Sequence, residues 1–445
     1  MEFGAERLAN ALAAIDSAWP ASAYCVALSG GLDSTVLLHA MAALHRRSNV
    51  HGLRAVHVDH GLQADSAAWA EACRADCLKT GVPFQVVALG LAPPAGASVE
   101  AAARDARYAA LAQNLNPGEW LLTAHHRDDQ LETVLIQLLR GAGVAGLAAM
   151  PVRVPFGCGW HARPLLDFDR EDLAAYAKRH SLSWLRDPMN DADRFDRAWL
   201  RTHVLPAIRQ RWPAAAATVA RSAAHFAQAS LLLAECAAAD AESVVDDGRL
   251  AIDGLRRLSR ERQINLLRWW LRGHGLRPPP AARLAAAMHS FLEARPDAAP
   301  CLRWENGELR RYRGRLYALP PLPPPPRLAS AACSASLLDL GPGLGRFSLV
   351  AGEEGGLRAS LAGSAAFRFR AGGESLRPHP NRPRKRLKDL CQEAGIVPWM
   401  RDRLPLVFVG ERLAAVGDLW IDVQFAVPAG TQALKPVWAD RPRIF

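Results

Sequence analysis

The sequence predicts an α/β protein: a doubly wound parallel sheet in its N-terminal part, then a helical middle domain and a small α+β C-terminal domain. Three observations carry this. Over the first ~200 residues, short apolar runs alternate with longer stretches of helical periodicity. An Ala/Leu/Arg-rich stretch of helical character follows, and beyond a cluster of prolines the pattern turns to strand-like alternation.

The apolar runs at 24–28, 55–59, 84–89 and 120–124 read as parallel strands, because strands covered on both faces need no polar alternation. Helical segments are expected at 34–45, 65–80, 99–115 and 128–140. This βαβα order puts helices on both faces and ligands beyond the carboxyl ends of the strands. The Ala-rich run 214–239 carries Arg221, His225, Gln228 and Glu235, which argues for a soluble helix against a membrane span. LPPLPPPP at 319–326 is neither helix nor central strand and reads as a stiff linker. Alternation at 346–350 and 404–409 predicts strands in the last domain. The expected divisions are 1–213, 214–318, a connecting segment 319–350, and 351–445.

A chain of 445 residues, half of them hydrophobic, has room for two or three domains with cores of their own. Eight cysteines are scattered; Cys73 and Cys77 are four apart, not three as in zinc or redox pairs, and no second pair answers them. A reduced cytoplasmic protein is expected, since MEFGAERLANALAAI lacks a basic leader and a cleavable apolar stretch. The formal charge of +10 invites an RNA partner. Arginine is abundant throughout, so charge alone does not decide it.

The strongest local signal is Ser29, Gly30, Gly31, Leu32, Asp33 and Ser34, between a strand and a helix. Adjacent glycines let backbone approach a ligand, and the helix that follows offers free N–H groups and its positive dipole end to phosphate. Asp33 beside phosphate implies an intervening cation, Mg²⁺. No GxxxxGK[ST] is present, so this is not a Walker-type loop. The GxGxxG match at 141–146 follows a helix, where a dinucleotide fingerprint needs a strand; it reads as a helix C-cap and turn. In TAHHRDDQLET, 123–133, His125 ends the fourth strand, while Asp129, Glu132 and Thr133 share one helix face. Such a pair of acids is commonly solvated, but beside a phosphate loop it offers a site for a metal or a substrate cation. Glu100 and Arg104, one turn apart, form a helix pair on the plain reading. Segment 377–388 holds Arg377, Arg382, Arg384, Lys385, Arg386 and Lys388 with no acid. It is a solvated loop or a phosphate footprint. Trp399 is read as core.

SGGLDS resembles the pyrophosphatase loop of the N-type ATP pyrophosphatases, which split ATP to AMP and pyrophosphate. Further blocks match the tRNA(Ile)-lysidine synthetase family in order: HVDHGL at 57–62, EAAARDARY at 100–108, TAHHRDDQLET, RPLL at 163–166, DPMN at 187–190, RAWLR at 197–201, KRLK at 385–388 and IVPWMR at 396–401. Ala198 stands where the family usually has Asn, and Gln63 where it often has Arg.

The resemblance implies a Rossmann-like PP-loop domain and a cytoplasmic ligase. Using ATP and Mg²⁺, it would join L-lysine to C2 of the wobble cytidine in tRNA(Ile) with a CAU anticodon, through an adenylated intermediate. It implies that Ser29 through Ser34 with His57, Val58 and Asp59 bind ATP, and that Asp33 carries the metal. Asp33, Arg104, His125, Asp129 and Glu132 would be catalytic; Asp129 and Glu132 would hold the amino acid's cationic groups. Arg201, Arg382, Arg384, Lys385, Arg386 and Lys388 would touch tRNA. Rival readings are another PP-loop tRNA-modifying enzyme, such as a thiolase, and a non-catalytic tRNA- or nucleotide-binding module. The oligomeric state stays open, a homodimer included.

Overall fold

A computed structural model describes residues 2–20, 22–48, 50, 52–59, 61, 66–89, 99–186, 195–295, 298–325, 331–332 and 337–445. His60, Leu62, Gln63, Asp65, the DPMN block 187–190, Pro326 and Cys333 lie outside the described residues, as does the Glu100 side chain. The chain forms two compact units, Met1–Leu233 and Ala234–Phe445.

The first unit follows the predicted alternation: α1 Ala5–Ile15, β1 Ala23–Ala27, α2 Leu32–Ser48, β2 Gly52–Asp59, α3 Ser66–Thr80, β3 Phe84–Ala88, α4 Val99–Gln113, β4 Trp120–Leu122 and α5 Arg127–Leu139. Then come α6 Val144–Leu147, β5 Arg153–Phe156, β6 Gly159–Ala162, α7 Arg170–Arg179, α8 Asp196–Trp199, a single π-helical turn Leu200–Val204, and α9 Leu205–Arg211. The sheet order is β3-β2-β1-β4-β6-β5. All pairings are parallel except the β5–β6 hairpin, which adds an edge to the four expected strands. The order reverses between β1 and β4, so the crevice beyond their carboxyl ends is the place for a ligand.

Burial explains the register. Tyr24, Val26, Leu122 and Ala162 are buried in one core with Leu37, Leu38 and Met41 of α2. On the opposite face Cys25, Val56, Val58 and Leu121 pack with Leu111 and Leu115. β1 to β4 thus each feed both layers, which is why the sequence showed runs instead of alternation there. The GxGxxG segment lies after α5, where Gly141 adopts φ +70° and the Ala142 N–H returns to the Gln137 carbonyl. That is the helix-ending turn expected.

In the second unit, α10 Ala215–Val244 enters from the first and is followed by β7 Val245–Asp246, β8 Arg249–Ala251, α11 Ile252–Arg256, α12 Arg260–Gly273, α13 Ala281–Glu293, β9 Cys301–Trp304, β10 Gly307–Tyr312 and β11 Arg315–Leu319. The helices carry this segment as expected. Five strands in the order β7-β8-β11-β10-β9 close a core of Leu255, Leu267, Trp270, Phe291 and Leu316 beneath them. The first two strands are two and three residues long, too short to leave a periodic trace.

The remainder holds two five-stranded sheets and a two-stranded ribbon. Its core includes Phe347, Phe367, Leu387, Trp399 and Met400. Trp399 is buried, its ring 5.1 Å from Tyr317 in a T-shaped contact. The strands beginning at Leu338 and Arg346 already belong to this sheet system, although they fall within the segment 319–350 read as connecting. Among the described residues no helix is long and apolar enough to cross a membrane.

Opposite the crevice, Arg54 of β2 donates two hydrogen bonds to Glu119, at 2.7 and 2.6 Å, and one to the Asn114 carbonyl at 2.7 Å. Glu119 is 3% exposed. Removing one partner of such a pair strands the other charge. Glu119→Ala is therefore expected to destabilise the first unit by about 3 kcal/mol, read from hydrogen exchange of the β1 and β4 amides.

Candidate active site

The phosphate loop, the turn after β2 and the start of α5 each follow the end of a strand. β1 runs into the loop at 29–34, whose shape comes from glycine and serine. Gly30 adopts φ +80°, and a Cβ there would lie 2.9 Å from the Leu185 side chain. Ser34 Oγ accepts from the Ser29 N–H at 3.2 Å, lies 3.0 Å from Ser29 Oγ and donates to the Gly31 carbonyl at 3.0 Å. The loop is thus held by its own hydroxyls, and the first-turn amides of α2 face its concavity with no carbonyl one turn back. Leu32 is buried in the core, so its contribution to a ligand is confined to backbone.

β2 delivers His57, Val58 and Asp59. His57 is buried, with Nδ1 2.9 Å from the Leu28 carbonyl; Val58 packs in the core; Asp59 accepts from the Gly61 N–H at 2.9 Å. These residues brace the loop and the turn after β2.

β4 and α5 bring the densest charge. The imidazole of His126 is 2% exposed and lies 3.6 Å from Asp33, 3.8 Å from Asp128 and 3.5 Å from Asp129. The loop and the TAHHRDDQLET block therefore meet, as required if they serve one ligand. Burial opposes a proton on His126, but contact with Asp33 and the charges of Asp129, Asp33 and Asp128 outweigh it and raise its pKa above the ordinary value. The His126 N–H is accepted by Asp129 at 2.9 Å, capping α5.

Asp129 and Glu132 share a face as predicted, and that face is covered. Arg201 donates to both Glu132 oxygens, at 2.5 and 2.8 Å, and to Asp129 at 3.1 Å. Glu132 is 1% exposed, and burial raises its pKa against the pull of Arg201. Arg201, assigned to RNA from the sequence, thus points into the site from the π-helical turn, a wide turn that recurs at functional positions. Asp128 is bound by Arg209 at 2.5 Å. Sequence reasoning passed over His126 and Arg209. The doubled histidine was a signal for the first; nothing local marks Arg209, which pairs across 81 positions.

His125 and Arg104 lie on another side, with His161 and Arg163. Arg104 sits 5.5 Å above the Tyr108 ring, and its charge helps to lower the His161 pKa. Among the described residues no ion pair joins Arg104, Arg107 or Arg163 to a carboxylate.

In the second unit the basic run divides in two. Arg377 donates to the Arg382 carbonyl at 2.9 Å, Arg384 pairs at 3.0 Å with the fully buried Asp422, and Lys385 pairs at 2.6 Å with Glu393. Arg382, Arg386 and Lys388 are exposed, and no side-chain partner is present for them among the described residues.

Known proteins share this organisation. The PP-loop domain family matches residues 5–208, the TilS substrate binding domain 250–317 and the TilS substrate C-terminal domain 366–438. A tRNA(Ile)-lysidine synthase from Alkalilimnicola ehrlichii is 45% identical over 432 residues, 96% of each chain. The chain belongs to the tRNA(Ile)-lysidine synthase family. Relatives of the same description from Methylococcus capsulatus and Pseudomonas aeruginosa are 43% and 44% identical, over 92% and 90% of this chain and 94% and 90% of theirs. The PP-loop domain match to residues 5–208 spans every site element from the loop to Arg201.

Arg201→Ala leaves Glu132 buried without the cation that hydrogen-bonds to it. The expected loss of stability at neutral pH is about 3 kcal/mol, the low end for a buried pair because Arg201 is partly exposed. A carboxyl whose folded pKa is raised binds its proton more readily folded than unfolded, so the loss shrinks as pH falls below that pKa. Urea titrations of both proteins across acid and neutral pH check this, and Arg201→Ala with Glu132→Gln should recover most of the loss.

Proposed function

We propose that this chain joins the side-chain amine of L-lysine to C2 of the wobble cytidine of tRNA(Ile) bearing a CAU anticodon. It does so through an adenylated cytidine, with release of pyrophosphate and then AMP. The observation that carries the reading is the 3.6 Å approach of His126 to Asp33, which joins the phosphate loop to the charged end of α5.

The chemistry explains why both are needed. The C2 oxygen of cytidine is urea-like and does not leave as hydroxide at neutral pH. Bonded to AMP, it leaves readily. The loop amides with Ser29 and Ser34 hold the triphosphate, and Arg104 and His125 stabilise charge as pyrophosphate departs. Asp33 Oδ1 is buried and has no hydrogen-bond partner among the described residues, which suits a hard cation there. Among the described residues no cluster of three or more ligating side chains forms a cage. That suits Mg²⁺, which keeps water and phosphate oxygens beside one or two carboxylates and would neutralise charge on the leaving pyrophosphate.

In the second step the lysine amine must lose a proton before it attacks, since its reference pKa is roughly 10.4. Asp129 and Glu132 are proposed to receive the amino acid's cationic groups. An ammonium reaches Glu132 only when Arg201 yields its place, so Arg201 is the gate to that position. The thiolase alternative finds little support in the cysteines. Cys25, Cys73 and Cys77 are buried, and desolvation pushes each up to about 12, which leaves them as inert thiols.

The test is pyrophosphate release from ATP with CAU-anticodon tRNA(Ile), with and without lysine. Release without lysine, followed by lysine-dependent AMP formation, is expected; equal activity on tRNA with another anticodon would overturn the substrate assignment. Asp33→Ala should abolish turnover with tRNA affinity nearly intact. Neutralising Arg382, Arg386 and Lys388 together should weaken tRNA binding and lower the slope of log affinity against log salt by about 2 to 3. Neutralising Arg384 or Lys385 should act mainly on folding of the C-terminal segment, read by its thermal melting.

A further inference from the structure

β4 carries more than His125 into the crevice. Thr123 Oγ1 lies 2.9 Å from His125 Nδ1 and 2.8 Å from His161 Nε2, and His161 Nδ1 lies 3.3 Å from a terminal nitrogen of Arg163. Thr123, His161 and Arg163 are 8%, 2% and 8% exposed. The arrangement depends on the sheet: β4 and β6 are parallel neighbours, with Leu121 opposite His161, so the end of one strand meets the end of the other.

The two contacts of Thr123 alone leave donor and acceptor undecided. Taken in series they do not. A guanidinium has only donors, so His161 Nδ1 must accept from Arg163. Burial and the charges of Arg163, Arg107 and Arg104 push the His161 pKa down to about 3, so the ring is neutral and its one proton sits on Nε2. That proton is donated to Thr123 Oγ1. The threonine proton then has a single acceptor among the described residues, His125 Nδ1. Burial, with Arg163, His161 and Arg197, lowers the His125 pKa against the pull of Asp129, so His125 is neutral too. Its proton is left on Nε2, for which no protein acceptor is present among the described residues.

We propose that Arg163, His161 and Thr123 are positioning residues that lock His125 in its Nε2–H tautomer, so that it meets ATP as a neutral hydrogen-bond donor to a phosphate oxygen. The donor role rests on the reading of the loop as an ATP site; the tautomer lock does not. Such a donor needs no proton from solvent, and a lone pair in its place would repel the phosphate. The imidazole takes no proton from substrate, which separates it from a general base.

The test is side-chain nitrogen NMR of the full chain labelled at histidine, with the signal assigned through His125→Asn. At neutral pH the expected signature is a bare Nδ1 and a protonated Nε2 at His125. Thr123→Val, nearly isosteric, should turn this into a tautomer mixture and slow ATP-dependent adenylation of tRNA roughly 10²-fold; Thr123→Ser should restore both. A protonated Nδ1 or an imidazolium in the unmodified protein overturns the lock, and needs no variant to be seen. An altered tautomer in Thr123→Val with an unchanged adenylation rate overturns the phosphate-donor role. If the unmodified protein shows the expected tautomer yet splits no ATP with any RNA, the lock stands and the ATP reading fails.

Discussion

Three carboxylates converge on one buried imidazole. Asp33, Asp128 and Asp129 all lie within 3.8 Å of His126, and at such spacing acids in a half-buried site repel strongly unless cations lie between them. His126 is raised towards its protonated form for this reason, and Arg201 and Arg209 supply two further charges from the other side. Much else in the first unit answers to this knot. It draws the start of α5 against the phosphate loop, and it brings the helical segments after residue 195 back over the acids. Opening it by a single neutralisation would leave charge without a partner in a site that water reaches poorly.

The two adjacent histidines meet opposite fates. His126 sits among acids and is pushed up; His125 sits among arginines and is pushed down. Nothing in the dipeptide distinguishes them. The difference comes from what the neighbouring elements place around each ring. The crevice therefore has an acidic side facing the loop, with cations among its acids, and a basic side where no carboxylate pairs with Arg104, Arg107 or Arg163 among the described residues. An enzyme that must hold a polyphosphate and an amino acid's ammonium in one place needs both characters.

Much of the first unit was legible because its signals are local. Strands buried on both faces leave apolar runs, and the loop's glycines and serines act within six residues. Family blocks then located the remaining site elements in order. The middle region was harder, because strands of two or three residues cannot show a period, and helix patterning dominated there. The basic run was visible as composition, but composition cannot separate Arg384, tied to buried Asp422, from Arg386, exposed beside it.

By itself, the sequence determined the parallel α/β architecture, the phosphate loop, the acids of α5 and the family to which they belong, since each of these is written in short-range pattern. Only the tertiary structure decided which groups those residues face. Arg201 closing on Glu132, Arg209 on Asp128, and His161 reaching His125 through Thr123 are contacts between segments 38 to 81 positions apart. Protonation state and direction of donation follow from burial and from such distant partners, and neither is a property of a residue's sequence neighbours.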